Sequence, residues 1–429
     1  MKKETRRQFI ENKLLKGLIV AALSPLSGFS KSNEQKEKRE TLSFETYDDI
    51  DWEKIKSQFT IAENRRHFNT ASIGPSPLVV QETTISTLRT INRFGKEQHK
   101  LVNETREKLA QFVNSNPNQI AITRNTTEGM NIIARSLKLK KGDEVIISSE
   151  EHVGGTTPWL TLQQEIGINV VVVDIFGKEN RTSNLIEEAI TPKTKVISLS
   201  HITCTTGTIL PISNVICLCK KHQIISVIDG AQALGQIPLN LNELKPDFYV
   251  SSGHKWLFGP NGTGMLYLNK PFLEQTPPLF AGAYTDLSYD SKNGNYEFVK
   301  HASRYEYGTI NAPIMVGLGS AVDFINQIGI INVNIRGKQL ALRFRNGIKT
   351  NQKISVLTPV EASASTLTFT IYQQNSTDVC RSLIKNHSMV LRSVIENDLN
   401  AIRVSFAIHN DEKDVDKLIY QIIQIAEQS

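Results

Sequence analysis

Between residues 119 and 268, short apolar, β-branched runs recur at intervals filled by segments of helical length. No other feature of the chain restricts its fold as much. The runs cover 119–123, 144–149, 169–175, 195–200, 224–228 and 247–251, while 101–113 and 127–137 have helical spacing. Strands buried on both faces read as continuous apolar runs rather than as an alternation. The expected fold is therefore α/β, a large and mostly parallel sheet with helices on both faces. Residues 262–268 read as a further strand arriving directly after its predecessor, so some antiparallel pairing is expected. Residues 282–290 read as a loop. After about residue 315 a long helix-like stretch precedes strand-like 366–372 and 402–406 and an amphipathic helix from Asp411. That pattern predicts a smaller C-terminal α+β domain, and no internal repeat is present.

The chain has a distinct beginning. Thr5-Arg6-Arg7-Gln8-Phe9-Ile10 is followed by an uncharged apolar run over 17–29, shorter than the about 20 residues a spanning helix needs. A basic head before such a run is a signal-segment pattern, and the paired arginines resemble a twin-arginine export signal. The expectation is a signal segment over 1–30, read by export machinery and directing the protein to the periplasm. A polar linker over 31–45, a large domain over 46–315 and a small domain over 316–429 follow. Residues 1–40 hold ten Lys/Arg against five Asp/Glu, so they account for +5 of the formal charge of +6. A nearly neutral body argues against a nucleic-acid partner and for a small molecule. Cys204, Cys217, Cys219 and Cys380 are too few for a disulfide scaffold. The last three are expected to be buried thiols, and no metal site is expected.

In an open parallel sheet, ligands bind beyond the carboxyl ends of the strands. The run 224–228 is followed by Asp229-Gly230-Ala231-Gln232, and 247–251 by Ser252-Gly253-His254-Lys255-Trp256. A lysine in a partly desolvated cleft has a lowered pKa and becomes a usable amine nucleophile. Pyridoxal phosphate (PLP) chemistry needs such a lysine, a carboxylate for the pyridinium nitrogen and donors for the phosphate.

With these residues in that order, the chain resembles the class V aminotransferase superfamily of fold-type I PLP enzymes, over about residues 68–418. Cysteine desulfurases, selenocysteine lyases and isopenicillin N epimerase-like proteins belong to that superfamily. The resemblance implies PLP as cofactor, with Lys255 as Schiff-base lysine and base for the alpha proton. It implies Asp229 as the pyridinium partner and His152, in Glu150-Glu151-His152, as the residue stacked on the ring. Thr126 and Thr127 would hold the phosphate, where free N–H groups at a helix start also favour an anion. Ser252 and His254 would assist there, and Gln232 and Thr203 would contact the phenolic oxygen. Thr203 stands where desulfurases usually have asparagine. Thr309, in Arg304-Tyr305-Glu306-Tyr307-Gly308-Thr309, resembles a residue that reaches the neighbouring subunit's phosphate, which implies a homodimer. Arg403 would hold the carboxylate of a small amino-acid substrate through its bidentate fork.

The resemblance leaves the reaction open. Desulfurases of the superfamily carry a catalytic cysteine shortly before the carboxylate arginine, and none lies between Arg381 and Arg403. Phe68-Asn69-Thr70-Ala71-Ser72 and Asn125–Gly129 look most like the epimerase-like branch. Aminotransferase-type or epimerase-type chemistry is therefore expected first and C–S or C–Se lyase chemistry second. An exported binding protein that has lost catalysis is the remaining alternative, and it would be expected to lack Lys255, Asp229 or Arg403.

Overall fold

The computed structural model describes residues 47–428, so the expected export segment and the whole of the expected linker lie outside the described residues. Seven strands form the main sheet: β1 (Ile120–Thr123), β2 (Glu144–Ser148), β3 (Asn169–Val173), β4 (Thr194–Ser200), β5 (Ile225–Asp229), β6 (Phe248–Ser252) and β7 (Gly264–Leu268). Their order is β1-β7-β6-β5-β4-β2-β3. The five strands from β6 to β3 are parallel, whereas β7 runs antiparallel to both its neighbours. The antiparallel strand is the one expected over 262–268. Val145, Ile147, Val196, Val227, Val250 and Leu266 from this sheet pack with Met130, Ile133 and Trp159 into one core cluster.

Helices α1 (Leu78–Phe94) and α2 (Gln98–Phe112) precede the sheet; α3 (Thr126–Ser136) follows β1, α4 (Val153–Ile166) follows β2 and α5 (Ile212–His222) follows β4. Helix α6 (Ala312–Ile328) packs against α1 and α2, then meets α7 (Ile330–Ile348) at a 77° bend. What reads in sequence as one long helical stretch is therefore two helices, broken at Gly329.

The segment expected to be a loop over 282–290 is partly a strand. β8 (Asp286–Asp290) pairs with β9 (Asn295–Phe298) as an antiparallel hairpin. It carries exposed Leu287, Tyr289 and Tyr296, so burial did not shape its sequence.

The C-terminal layer has a four-stranded antiparallel sheet: β10 (Ile354–Val356), β11 (Thr366–Ile371), β12 (Arg392–Val394) and β13 (Ala401–Ser405), in the order β10-β11-β13-β12. Helices α8 (Ser376–His387) and α9 (Glu412–Glu427) complete it. Asp411 caps α9 and takes part in a reciprocal capping box with Asp414, which satisfies two N–H groups at the helix start. Phe68, from far upstream, packs into this second core beside Phe344, Phe369 and Phe406.

That placement identifies a strap. Arg66–His67 pairs in parallel with Met389–Val390, and Asn69 bridges to Ser405. A few residues later Gly74 N–H donates to the His254 carbonyl at 2.8 Å. The strap thus ties the small sheet to the end of β6. A Cβ at position 74 would lie 2.0 Å from the Lys255 carbonyl oxygen, so only glycine permits this approach. Of the cysteines, Cys219 and Cys380 are buried as expected, but Cys217 is exposed. Cys217 lies on α5, whose buried face is formed by Ile212, Val215, Ile216 and Cys219.

Candidate active site

A cleft of about 370 Å³ opens beyond the carboxyl ends of the parallel strands. Its lining includes Ser72, Thr126, His152, Asp229, Lys255 and Arg403.

At one end, Asn125 has an extended backbone and its side chain accepts from the Glu128 N–H at 2.9 Å, starting α3 at Thr126. The Thr126 and Ser252 hydroxyls are 2.8 Å apart. Thr127 and His254 line the same end. His254 Nδ1 lies 3.3 Å from the Thr263 carbonyl, a contact in which it donates, so its Nε2 donates to a bound anion in the imidazolium form. Hydroxyls, an imidazole and a helix N-terminus make an anion cradle.

Asp229 ends β5 and is 5% exposed. Its Oδ1 accepts from the Ala231 N–H at 2.8 Å. Burial pushes its carboxyl up despite that bond and the nearby Lys255 ammonium. A carboxylate so placed gains from a cationic partner, which the ring nitrogen of a bound cofactor supplies. A Cβ at position 155 would stand 3.2 Å from Asp229 Oδ2, so glycine keeps that approach open. His152 caps α4, its Nδ1 accepting from the Gly154 N–H at 3.0 Å. Burial, then the Lys255 and Arg392 charges, lower it to about 4. The ring is therefore neutral and fixed in orientation near pH 7.

Lys255 is half-buried in the cleft wall, and desolvation lowers it to about 8 against the opposing pull of Asp229. Gln232 donates to the Ala71 carbonyl at 2.9 Å and accepts from Trp256 Nε1 at 2.8 Å, which fixes its amide against the strap.

Arg403 is 1% exposed and points its fork inward. Nη1 donates to the Cys204 carbonyl at 2.6 Å, and Nη2 donates to Ser72 Oγ at 2.8 Å and Asn69 Oδ1 at 3.3 Å. All three partners are neutral, and Nε has none. Burial lowers its pKa to about 10, leaving it fully cationic near neutrality.

Two expected residues lie apart from this group. Thr203 is buried, with its hydroxyl committed to Thr206 Oγ1 and the Thr208 N–H inside its own loop. The buried Glu150 carboxylate accepts from Thr205 and Thr206, each at 2.7 Å, and so anchors that loop. Thr309 is exposed, beside Gly308, whose carbonyl contacts His99 Nε2 at 2.9 Å. Cys204 lies in the anchored loop, and burial pushes its thiol up to about 11.

Sequence reasoning did not find Asn125, Ser72 and Arg392 as cleft residues. Asn125 had a signal in its capping position before Thr126. Ser72 enters the cleft through strap pairing across more than 300 residues, and Arg392 through a three-residue strand, neither of which local spacing reports.

Four findings place this geometry among known proteins. The family model for aminotransferase class-V matches residues 80–418. A probable cysteine desulfurase from Methanothermobacter thermautotrophicus is 27% identical over 350 residues, covering 80% of this chain and 86% of the relative. A solved structure of a C-DES mutant, with glycine covalently linked to the PLP cofactor, superposes with a TM-score of 0.80 at 25% identity; the match covers 86% of this chain and 98% of that one. The cystine C–S lyase C-DES in complex with its product cysteine persulfide gives a TM-score of 0.79 at 25% identity, over 84% of this chain and 97% of that one. The cleft fits PLP: an anion cradle, a buried carboxylate and a depressed lysine amine all line one cavity.

Proposed function

Because the chain belongs to the class-V aminotransferase family and uses PLP, we propose that it is a lyase that cleaves the C–S or C–Se bond of a cysteine-like amino acid. One observation carries the reading. The cleft unites Lys255, Asp229 and Arg403 in a chain whose relatives bear desulfurase and C–S lyase names. Those names favour the lyase reading over the aminotransferase or epimerase chemistry expected from the sequence.

When bound, PLP supplies an electron sink at the substrate's alpha carbon. Thr126, Thr127, Ser252 and His254 would hold its phosphate, and Asp229 would keep the proton on its ring nitrogen. His152, held by its contact to Gly154, would supply the stacking surface for its ring. Gln232 is the remaining polar contact for the ring. Arg403 holds the substrate carboxylate with two donors. Lys255 Nζ takes the alpha proton, and an amine near pKa 8 combines availability with basicity near neutral pH. The Cβ–S bond then breaks with its electron pair on sulfur.

The sulfur fragment leaves without visiting an enzyme thiol. The turn before β13 carries Glu396, Asn397 and Asp398. Cys204 is buried in a loop with a raised thiol and is a poor nucleophile.

The test is an end-product assay on the PLP-loaded protein. L-cysteine, L-cystine and S-alkylcysteines should release pyruvate and a sulfur product with no 2-oxo acid added, and Lys255→Ala should abolish this. Turnover only when a 2-oxo acid is supplied, yielding its amino acid, would overturn the reading in favour of amino-group transfer.

Two further assignments belong to this proposal. Thr309, exposed on one chain, completes the cradle of a second copy, which makes the enzyme a homodimer. The N-terminal segment directs it to the periplasm through the twin-arginine route, which a fractionation of cells expressing Arg6→Lys/Arg7→Lys tests by loss of export.

A further inference from the structure

Arg392 and Arg403 stand directly opposite each other in the antiparallel pair of β12 and β13, and both line the cleft. Like charges in that register repel. The partners of Arg403 are neutral, so they do not offset the repulsion. The compensating charge belongs to Glu396, whose carboxylate pairs with the Arg392 guanidinium. Burial opposes the charge on Glu396, but backbone N–H groups and Arg392 outweigh it and hold its carboxyl below the usual range.

The turn that carries Glu396 is built firmly. Asn397 and Asp398 both have left-handed backbones, with φ of 55° and 58°, an arrangement that costs free energy and persists only where surroundings enforce it. The Asn397 side chain supplies one such restraint, donating to the Ser149 carbonyl at the end of β2. Glu396 is thereby held beside a cationic wall.

We propose that Arg392 and Glu396 read the far end of the substrate, and that this far end is itself a zwitterionic amino-acid group. The proposal rests on the lyase reading and names its substrate class: thioethers or disulfides that join two amino-acid halves. Arg403 takes the near carboxylate, Arg392 the far one, and Glu396 the far ammonium.

Charge accounting favours this class over its rivals. An anionic far end must pull Arg392 from Glu396 and leave a partly buried carboxylate uncompensated. A cationic far end does the converse. A neutral one leaves the pair intact and gains nothing from it. Only a zwitterion keeps both charges matched in the bound state.

Probes without sulfur separate this inference from the lyase reading, since they bind without C–S cleavage. The PLP absorbance of the loaded enzyme is titrated with 2,6-diaminopimelate, with 2-aminopimelate (distal anion only), with lysine (distal cation only) and with 2-aminoheptanoate (neutral). Diaminopimelate should half-saturate at a concentration about tenfold lower than each of the other three, the effect of one added charge-assisted contact. In Glu396→Gln this preference should collapse. Equal binding of the neutral probe, tighter binding of 2-aminopimelate, or a preference that survives Glu396→Gln would overturn the inference. Pyruvate release from L-cystine and L-cystathionine, measured beside it, reports on the lyase reading alone.

Discussion

Lys255 behaves as the site requires because of where it sits, and this has a consequence for the PLP-free protein. Desolvation lowers its amine from 10.5 to about 8. Between those values the unfolded chain binds the proton and the folded chain does not, so this residue makes stability rise with pH across that window. Below pH 8 both states are protonated and the contribution is flat. Thermal melts of the PLP-free protein from pH 7 to 10 should show this rise relative to Lys255→Met, and parallel curves would contradict the assignment. Ser72 acts through another residue, since its hydroxyl accepts from Arg403 Nη2. Ser72→Ala should raise KM about tenfold with little change in kcat, because a lost charge-assisted hydrogen bond costs about 1.5 kcal/mol or more. Ser72→Thr, which keeps the acceptor, should recover much of it. Asp229, His254 and Lys255 were legible because reactive side chains directly follow apolar runs. Arg392 was not, since a lone arginine in a short stretch carries no local mark.

β5 and β6 were read from their apolar runs, whereas β12 and the β8–β9 hairpin were not. β6 is buried along its whole length and β5 along all but its first residue, and their sequences show it. β12 has three residues, too few for a period to register. The β8–β9 hairpin is exposed, although Asn293-Gly294 ahead of β9 is a recognised turn signal that could have revealed it; Gly294 has a φ of +70°. The strap was visible as a resemblance over Phe68–Ser72, but its role came only from its pairing. Its weak point is Gly74, pressed against the Lys255 carbonyl. Gly74→Ala must shift that backbone, and overpacking of this kind costs about 1–3 kcal/mol. A lower melting temperature together with a weakened PLP absorbance band should result. A variant with both unchanged would show that the strap does not support the lysine.

At the scale of the whole molecule, the α/β class and the order of sheet and small layer were legible, because alternation survives over 150 residues. The pairing of β7 against both neighbours was legible only as antiparallel character. If Thr309 completes a second copy's site, sedimentation should give a dimer. Thr309→Ala mixed with Lys255→Ala should then yield heterodimers with one intact site between them, and activity that stays at the sum of the separate variants would refute the sharing. The strap also sets a timetable. Arg66–His67 finds its partner at Met389–Val390, so a growing chain carries this segment unpaired while more than 300 residues are added. At about 5–20 residues per second that wait is on the order of 20–60 seconds. The cleft wall, and with it cofactor retention, is therefore among the last parts of the nascent protein to form. A chain released just before residue 389 would have made every strand of its main sheet and still be unable to close the pocket.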